Sequence, residues 1–166
     1  MLLLTAAVYI KIMNIRLGKI SDTEKISQTH KASIQMLCKD HYSLENIKKW
    51  TSILNPEIYE NAINEKILIV AEKNNIICGF GILDVESTEI CAVYIHPDHT
   101  NKGIARIILF KLESLAFEQD LNCLNTCSTI NALGFYKHHG YMETEKSFHL
   151  LPDKTKLECI KMYKKL

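Results

Sequence analysis

Residues 93–106 read Val-Tyr-Ile-His-Pro-Asp-His-Thr-Asn-Lys-Gly-Ile-Ala-Arg. An apolar stretch runs into a polar turn closed by Gly103, and an amphipathic helix follows. A helix start offers unpaired N–H groups and the positive end of the helix dipole, which suits a phosphate group. A dinucleotide fingerprint would need three spaced glycines, and a P-loop would need Gly-Lys followed by Ser or Thr; neither is here. Taken alone, the turn is equally well a plain strand-to-helix connection. A second set lies at Ser128–Tyr141, where Tyr136 carries a phenol able to protonate a leaving group. By helix spacing alone, Tyr136 is a half-buried aromatic. A third residue, Glu89, carries a carboxylate able to take a proton. Counting by two puts Glu89, Cys91, Val93 and Ile95 on one strand face, and a strand-edge carboxylate is the plainer reading of Glu89.

The pattern around these residues predicts the elements that hold them. A first strand covers 15–17. Ser21-Asp22-Thr23-Glu24 reads as a capping box with Ser21 as N-cap, followed by helical spacing of Ile26, His30, Ser33, Ile34, Leu37 and Cys38. Ser43 caps a second helix holding Ile47 and Trp50, and 56–63 forms a third. Strands at 67–71 and 76–83 flank an Asn74-Asn75 turn, a hairpin signal because Asn tolerates positive φ. Strand 89–95, helix 104–117 and strand 121–126 form one crossover unit. A short helix over 131–139 ends at Gly140, and strands 141–150 and 157–163 flank Pro152-Asp153. The order β-α-α-α-β-β-β-α-β-α-β-β predicts a mixed α/β sheet, antiparallel in the middle.

With 166 residues, 47% of them apolar, the chain suits one domain with a real core. A net charge of +1 gives no bias toward nucleic acid or membrane surfaces. The six cysteines, Cys38, Cys78, Cys91, Cys123, Cys127 and Cys159, include no CxxC pair. That excludes the usual zinc spacing and argues for buried, reduced thiols in a cytoplasmic protein rather than a disulfide framework. Acyl transfer through Cys91 or Cys127 is disfavoured, since no His or Asp is placed by sequence to activate either. Residues 1–13 form an apolar N-terminal extension, too short to span a bilayer and without the basic region of a signal peptide. Either Met13 is the true start or the extension adds a strand; residues 14–166 form the single domain.

Together the two motifs resemble the GNAT superfamily of acetyl-CoA-dependent N-acetyltransferases. The family's cofactor motif, Gln/Arg-x-x-Gly-x-Gly/Ala, is similar to Thr100-Asn101-Lys102-Gly103-Ile104-Ala105 except at its first position. Its second motif, Ala-x-x-Phe-Tyr-x-x-x-Gly-Phe/Tyr, is met by Ala132, Phe135, Tyr136, Gly140 and Tyr141. The hairpin through Cys78-Gly79-Phe80 looks like the family's central hairpin, and the resemblance covers 14–165. It implies a twisted, mostly antiparallel sheet flanked by helices.

The resemblance also implies roles. Backbone N–H groups of Thr100, Asn101, Lys102, Gly103, Ile104 and Ala105 would hold the pyrophosphate of acetyl-CoA. Val93 and Ile95 would offer backbone groups to the pantetheine arm, one N–H polarising the thioester carbonyl. Thr129 stands where many relatives carry Asn, and Asn131 replaces that residue in part. Tyr136 would be the general acid and Glu89 the general base, with His96, His99, His138 or a water relay as other bases. Tyr42 and Trp50 lie on helices that wall the acceptor cleft in the family, and packing is their expected role. The implied reaction moves an acetyl group to a primary amine, of a small molecule or peptide, by direct attack in a ternary complex without a metal. A homodimer accords with the habits of relatives. The rival reading is a non-catalytic acyl-CoA-binding or regulatory module on the same fold. Thr100 departs from the preferred Arg or Gln and points to weaker cofactor affinity.

Overall fold

A computed structural model describes residues 13–166; the alternatives for the apolar extension fall on residues outside that range. The elements are β1 (Asn14–Leu17), α1 (Thr23–Leu37), α2 (Leu44–Ser52), α3 (Pro56–Glu65), β2 (Ile67–Lys73), β3 (Ile76–Asp84), β4 (Glu89–Ile95), α4 (Ile104–Glu118), β5 (Cys123–Thr129), α5 (Leu133–His138), β6 (Met142–Leu150) and β7 (Lys156–Lys165). All strands join one sheet in the order β1-β2-β3-β4-β5-β7-β6. Every neighbouring pair is antiparallel except β4 and β5. The expected mixed, mostly antiparallel sheet flanked by helices is therefore the observed fold.

Strands β2 and β3 are apolar on both faces because both faces are covered. On one side, Ile69, Leu83, Ile90 and Ile95 pack against Ile104, Ile108 and Leu112 of α4. On the other, Val70, Phe80, Ile82 and Ala92 meet Ile26 of α1 and Tyr59 of α3. The β2–β3 turn places Asn74 and Asn75 at φ 51° and 62°, as the hairpin signal required. Gly81 lets α4 lie close to the sheet: a Cβ there would stand 2.6 Å from Ile108 Cγ2 and 2.8 Å from Leu112 Cδ1.

A third apolar cluster joins Ile34, Cys38, Tyr42, Ile47 and Trp50 to Leu151 and Leu157, so the β6–β7 turn folds over the ends of α1 and α2. Tyr42 and Trp50 are thus packing residues, buried with their rings edge to face. The Tyr42 hydroxyl also donates to the Glu158 carbonyl at 2.6 Å and accepts the Ile130 N–H at 3.1 Å. It ties the first helices to β7 and to the entry of α5.

Two local expectations need correction. Ser43 caps α2 as expected, accepting the Asn46 N–H at 3.1 Å, but Ser21 caps nothing. The 3-10 turn 20–22 precedes α1, and Asp22 is its N-cap residue. The Asp22 carboxylate instead accepts the Lys19 N–H at 2.9 Å and pairs with Arg16 at 2.7 Å, while Arg16 also grips Glu72 at 2.9 Å. A bidentate guanidinium thus holds the Asp22 carboxylate, and the 3-10 turn carries Ser21 out of the N-cap position. The second correction concerns the cysteines: Cys127 and Cys159 form a disulfide with Cα atoms 5.8 Å apart. Strand β7 inserts between β5 and β6, and its register sets Thr129 opposite Cys159 and Cys127 opposite Lys161. Cys127 and Cys159 become diagonal neighbours, a pairing invisible at a separation of 32 residues. Cys38 and Cys78 are buried, reduced thiols as expected, whereas Cys91 is exposed.

Candidate active site

The sheet opens in its middle. Parallel pairing of β4 with β5 is confined to Glu89 opposite Asn125. Beside it, the Asn125 N–H donates to the Thr88 carbonyl at 2.8 Å and the Thr126 hydroxyl to the Ile90 carbonyl at 2.9 Å. Beyond Ile90 the strands diverge, leaving one edge of β4 unpaired. The His96 N–H donates to the Cys78 carbonyl at 2.8 Å. By the alternation of an antiparallel ladder, Tyr94 and Ala92 also bond to β3, while Val93 and Ile95 turn their backbone N–H and C=O groups into the gap. These are the two residues expected to offer backbone groups.

A bulge overturns the expected face of Glu89. Ala92 lies opposite Ile82, but Ile90 lies opposite Leu83, so Cys91 is an extra residue in β4. Ile90 accordingly shares the α4-side core with Val93 and Ile95, whereas Ala92 and Tyr94 face α1 and α3. Glu89 therefore points to the α1–α3 side, not with Val93 and Ile95. It is half-buried at the point where the gap begins. Burial raises its carboxyl above the ordinary range, Lys66 and His149 oppose that shift, and Asp84 adds to it. Lys66 itself pairs with Asp84 at 2.9 Å.

The polar turn after β4 is shaped by its own backbone. A 3-10 turn covers 97–99, and the Thr100 hydroxyl donates back to the Pro97 carbonyl at 3.0 Å. Asn101 and Gly103 adopt left-handed φ of 58° and 76° with Lys102 between them. Left-handed residues alternating before a right-handed helix curl successive N–H groups into a concave donor set that suits an anion. Gly103 is the N-cap of α4, whose first turn carries no acidic residue to neutralise its positive end. The short Ala105 side chain sits in the same wall.

Tyr136 reaches the gap from the other side. It is 4% exposed, and Thr126 lines the same cavity. Burial pushes the phenol up to about 12, so it holds its proton across the neutral range. Gly140, at φ 88°, ends α5, and Tyr141 packs edge to face on Tyr136. One cavity of about 470 Å³ unites the turn at Asn101 and Gly103, the β4 edge, Thr126, Cys127 and Tyr136. Thr129 and Asn131 lie in its wall, Asn131 accepting the Cys38 thiol at 3.4 Å. Ser33 and Leu37 of α1, with Cys38 at its C-cap, close the far side. No carboxylate lines the cavity, and Glu89 lies at the gap's apex outside the lining. Thr126 went unnoticed in the sequence, although alternation of Thr126 and Ser128 with less buried neighbours marks buried polar residues in a strand.

His96, His99 and His138 differ in setting. The Asp98 N–H donates to His96 Nδ1 at 3.3 Å, His99 is in the cavity wall, and His138 closes α5 next to His139. Among the described residues, no cluster of His, Cys, Asp or Glu could hold a metal ion, and no helix is long and apolar enough to cross a membrane.

A seven-stranded sheet split between β4 and β5, with an anion-suited turn at the head of α4 and a buried phenol across the split, defines an acyltransferase architecture. The family model described as an acetyltransferase (GNAT) domain matches residues 38–165, and the chain belongs to that family. An uncharacterized N-acetyltransferase of Chlorobaculum tepidum is 30% identical over 89 residues, covering 54% of this chain and 55% of the relative. The chain thus matches about half the length of that curated relative. A GCN5-related N-acetyltransferase from Rhodopseudomonas palustris superposes with a TM-score of 0.87 at 23% identity, over 92% of this chain and 95% of that one. PaiA N-acetyltransferase from Thermoplasma acidophilum, solved in complex with coenzyme A, superposes with a TM-score of 0.76 at 20% identity, over 93% and 99% of the two chains.

Proposed function

We propose that the protein transfers an acetyl group from acetyl-CoA to a primary amine by direct attack within a ternary complex. The observation that carries this reading is the common cavity: an anion-suited turn, a free β4 edge and a protonated phenol converge on it. The fit to CoA is electrostatic and steric. N–H groups from Asn101 to Ala105 would hold the pyrophosphate, while Thr100 turns both its hydroxyl and its N–H back to the Pro97 carbonyl. Arg106 adds a cation in the same wall. Backbone groups of Val93 and Ile95 would run along the pantetheine arm, and Thr129 and Asn131 would border it.

Glu89, its carboxyl raised by burial, would draw a proton from the amine through water. The amine nitrogen then bonds to the thioester carbon while an N–H of the β4 edge steadies the carbonyl oxygen. The C–S bond breaks, and Tyr136 gives its proton to the departing thiolate. Cys127 takes no part as nucleophile, since its sulfur is bonded to Cys159. A wall without carboxylates suits an acceptor that carries little positive charge beyond its reacting amine. A panel of amines with acetyl-CoA, followed by thiol release, tests the reading. If the wild type and Tyr136→Phe release CoA equally slowly with every amine, the non-catalytic acyl-CoA-binding module replaces it. Sedimentation of the pure protein tests for the homodimer.

A further inference from the structure

We infer that Cys127 and Cys159 form a thiol–disulfide exchange site addressed by the sulfur of CoA itself; this rests on the acetyl-CoA reading above. Three observations lead there. Cys127 is half-buried and lines the cavity, whereas Cys159 is 3% exposed and does not line it, so of the two partners Cys127 is the one the cavity reaches. Leu157 packs with α1 and α2 while Ile160 and Met162 face α4. The β7 alternation therefore sets Cys159, and the disulfide with it, on the α1–α2 side of the sheet. Tyr136, the residue that would meet the CoA sulfur, lines the same cavity as Cys127 and its chain neighbour Thr126. The open gap between β4 and β5 joins the two sides at that level.

The chemistry needs no group beyond CoA in its thiol and disulfide forms. In the reduced protein, the Cys127 thiolate attacks one sulfur of CoA disulfide. That S–S bond breaks, a Cys127–CoA mixed disulfide forms, and one CoA leaves as its thiol. Cys159 then attacks the Cys127 sulfur, the mixed disulfide breaks, the second CoA leaves as its thiol, and the Cys127–Cys159 bond closes. Two protein thiols are oxidised and one CoA disulfide is reduced to two CoA thiols. Each step is an ordinary exchange, selective because the groove holds the CoA portion beside Cys127. While the mixed disulfide persists, its CoA portion fills the acetyl-CoA groove and transfer stops.

Removing the resolving thiol traps the intermediate. Reduced Cys159→Ser and Cys159→Ala proteins, each checked for a cooperative thermal transition, are treated with CoA disulfide and followed by intact-mass spectrometry. The expected result is one CoA adduct on the Cys127 peptide, released by dithiothreitol. It should form about tenfold or more faster than the glutathione adduct from glutathione disulfide at equal concentration, and excess desulfo-CoA should slow it. The wild type should instead lose two thiols and keep no adduct. Equal rates with glutathione disulfide, mapping to Cys91 or Cys123, or indifference to desulfo-CoA would overturn the proposal. Calorimetric titration of the disulfide form with desulfo-CoA separates the failures. Binding without a selective adduct sinks the exchange site alone, and absence of binding sinks the acetyl-CoA reading along with it.

Discussion

Tyr136 and Thr126 line one cavity, and the Thr126 hydroxyl donates to the Ile90 carbonyl at 2.9 Å. The phenol therefore shares its cavity with the side chain that ties β5 to β4 just before the strands part. If it protonates the leaving thiolate, Tyr136→Phe should lower kcat by about 100-fold or more while KM for acetyl-CoA stays within about threefold. Steady-state thiol release checks both. Loss confined to KM would make Tyr136 a packing residue.

Glu89 gives a prediction in pH. A base must be ionised to act, so the rate falls as pH drops through its pKa. Burial raises that pKa, which moves the acidic limb of kcat/KM above the ordinary carboxylate range. Glu89→Gln should remove this limb and lower the plateau. Lys66→Met, taking away a cation that opposes the shift, should move the limb to still higher pH. A profile unchanged in Glu89→Gln would pass the role to another base or to solvent.

Gly103 holds φ 76° at the head of α4. A β-branched side chain there is strained by about 1–2 kcal/mol and crowds the concave donor set. Gly103→Val should weaken CoA binding about tenfold or more, as read by calorimetry, with a fall of only a few degrees in Tm. A large Tm loss with unaltered affinity would mean that the turn is structural.

Acid stability should report His30. Its Nδ1 lies 2.9 Å from the Tyr59 hydroxyl, its ring sits 3.8 Å from that of Tyr94, and Nε2 is buried without a partner. Burial, with a smaller contribution from His149, pushes its pKa down to about 3 from the ordinary 6.5. The unfolded chain then binds a proton that the folded protein refuses. Stability is full above pH 6.5 and declines as pH falls toward 3. His30→Gln should flatten the Tm profile between pH 6.5 and 4.5, above the region where Asp22 and Glu72 release Arg16. An unchanged slope there would assign the loss to other groups.

Local chemistry was legible in the residues. The Asn74-Asn75 hairpin, the Ser43 cap, the alternation of β2 and β3 and the left-handed stop at Gly140 each follow from a few adjacent side chains. The site residues could be named for the same reason, since both motifs are contiguous. What escaped was set at long range. The bulge at Cys91 shows no local signature, yet it turns Glu89 to the opposite face. Insertion of β7 beside β5 is a matter of topology, and it alone brings Cys127 to Cys159. Ser21 had every mark of a cap but sits inside a 3-10 turn that moves the helix start to Asp22, whose partner Arg16 also grips Glu72, 56 residues along the chain from Arg16.

The confinement of β4–β5 pairing to Glu89 and Asn125 makes the sheet two leaves on a narrow spine. The turn at Gly103 rides on the leaf of β2, β3 and β4, while α5 and Tyr136 ride on the leaf of β5, β6 and β7; α4 packs chiefly on the first leaf and reaches the second through Glu113, which pairs with Lys164 of β7 at 2.8 Å. The parts that would grip the cosubstrate and the part that would finish the reaction thus belong to different leaves. One dihedral angle between leaves sets the distance from clamp to acid, and the Glu113–Lys164 pair on one side of the sheet and the Tyr42 tether on the other brace that angle.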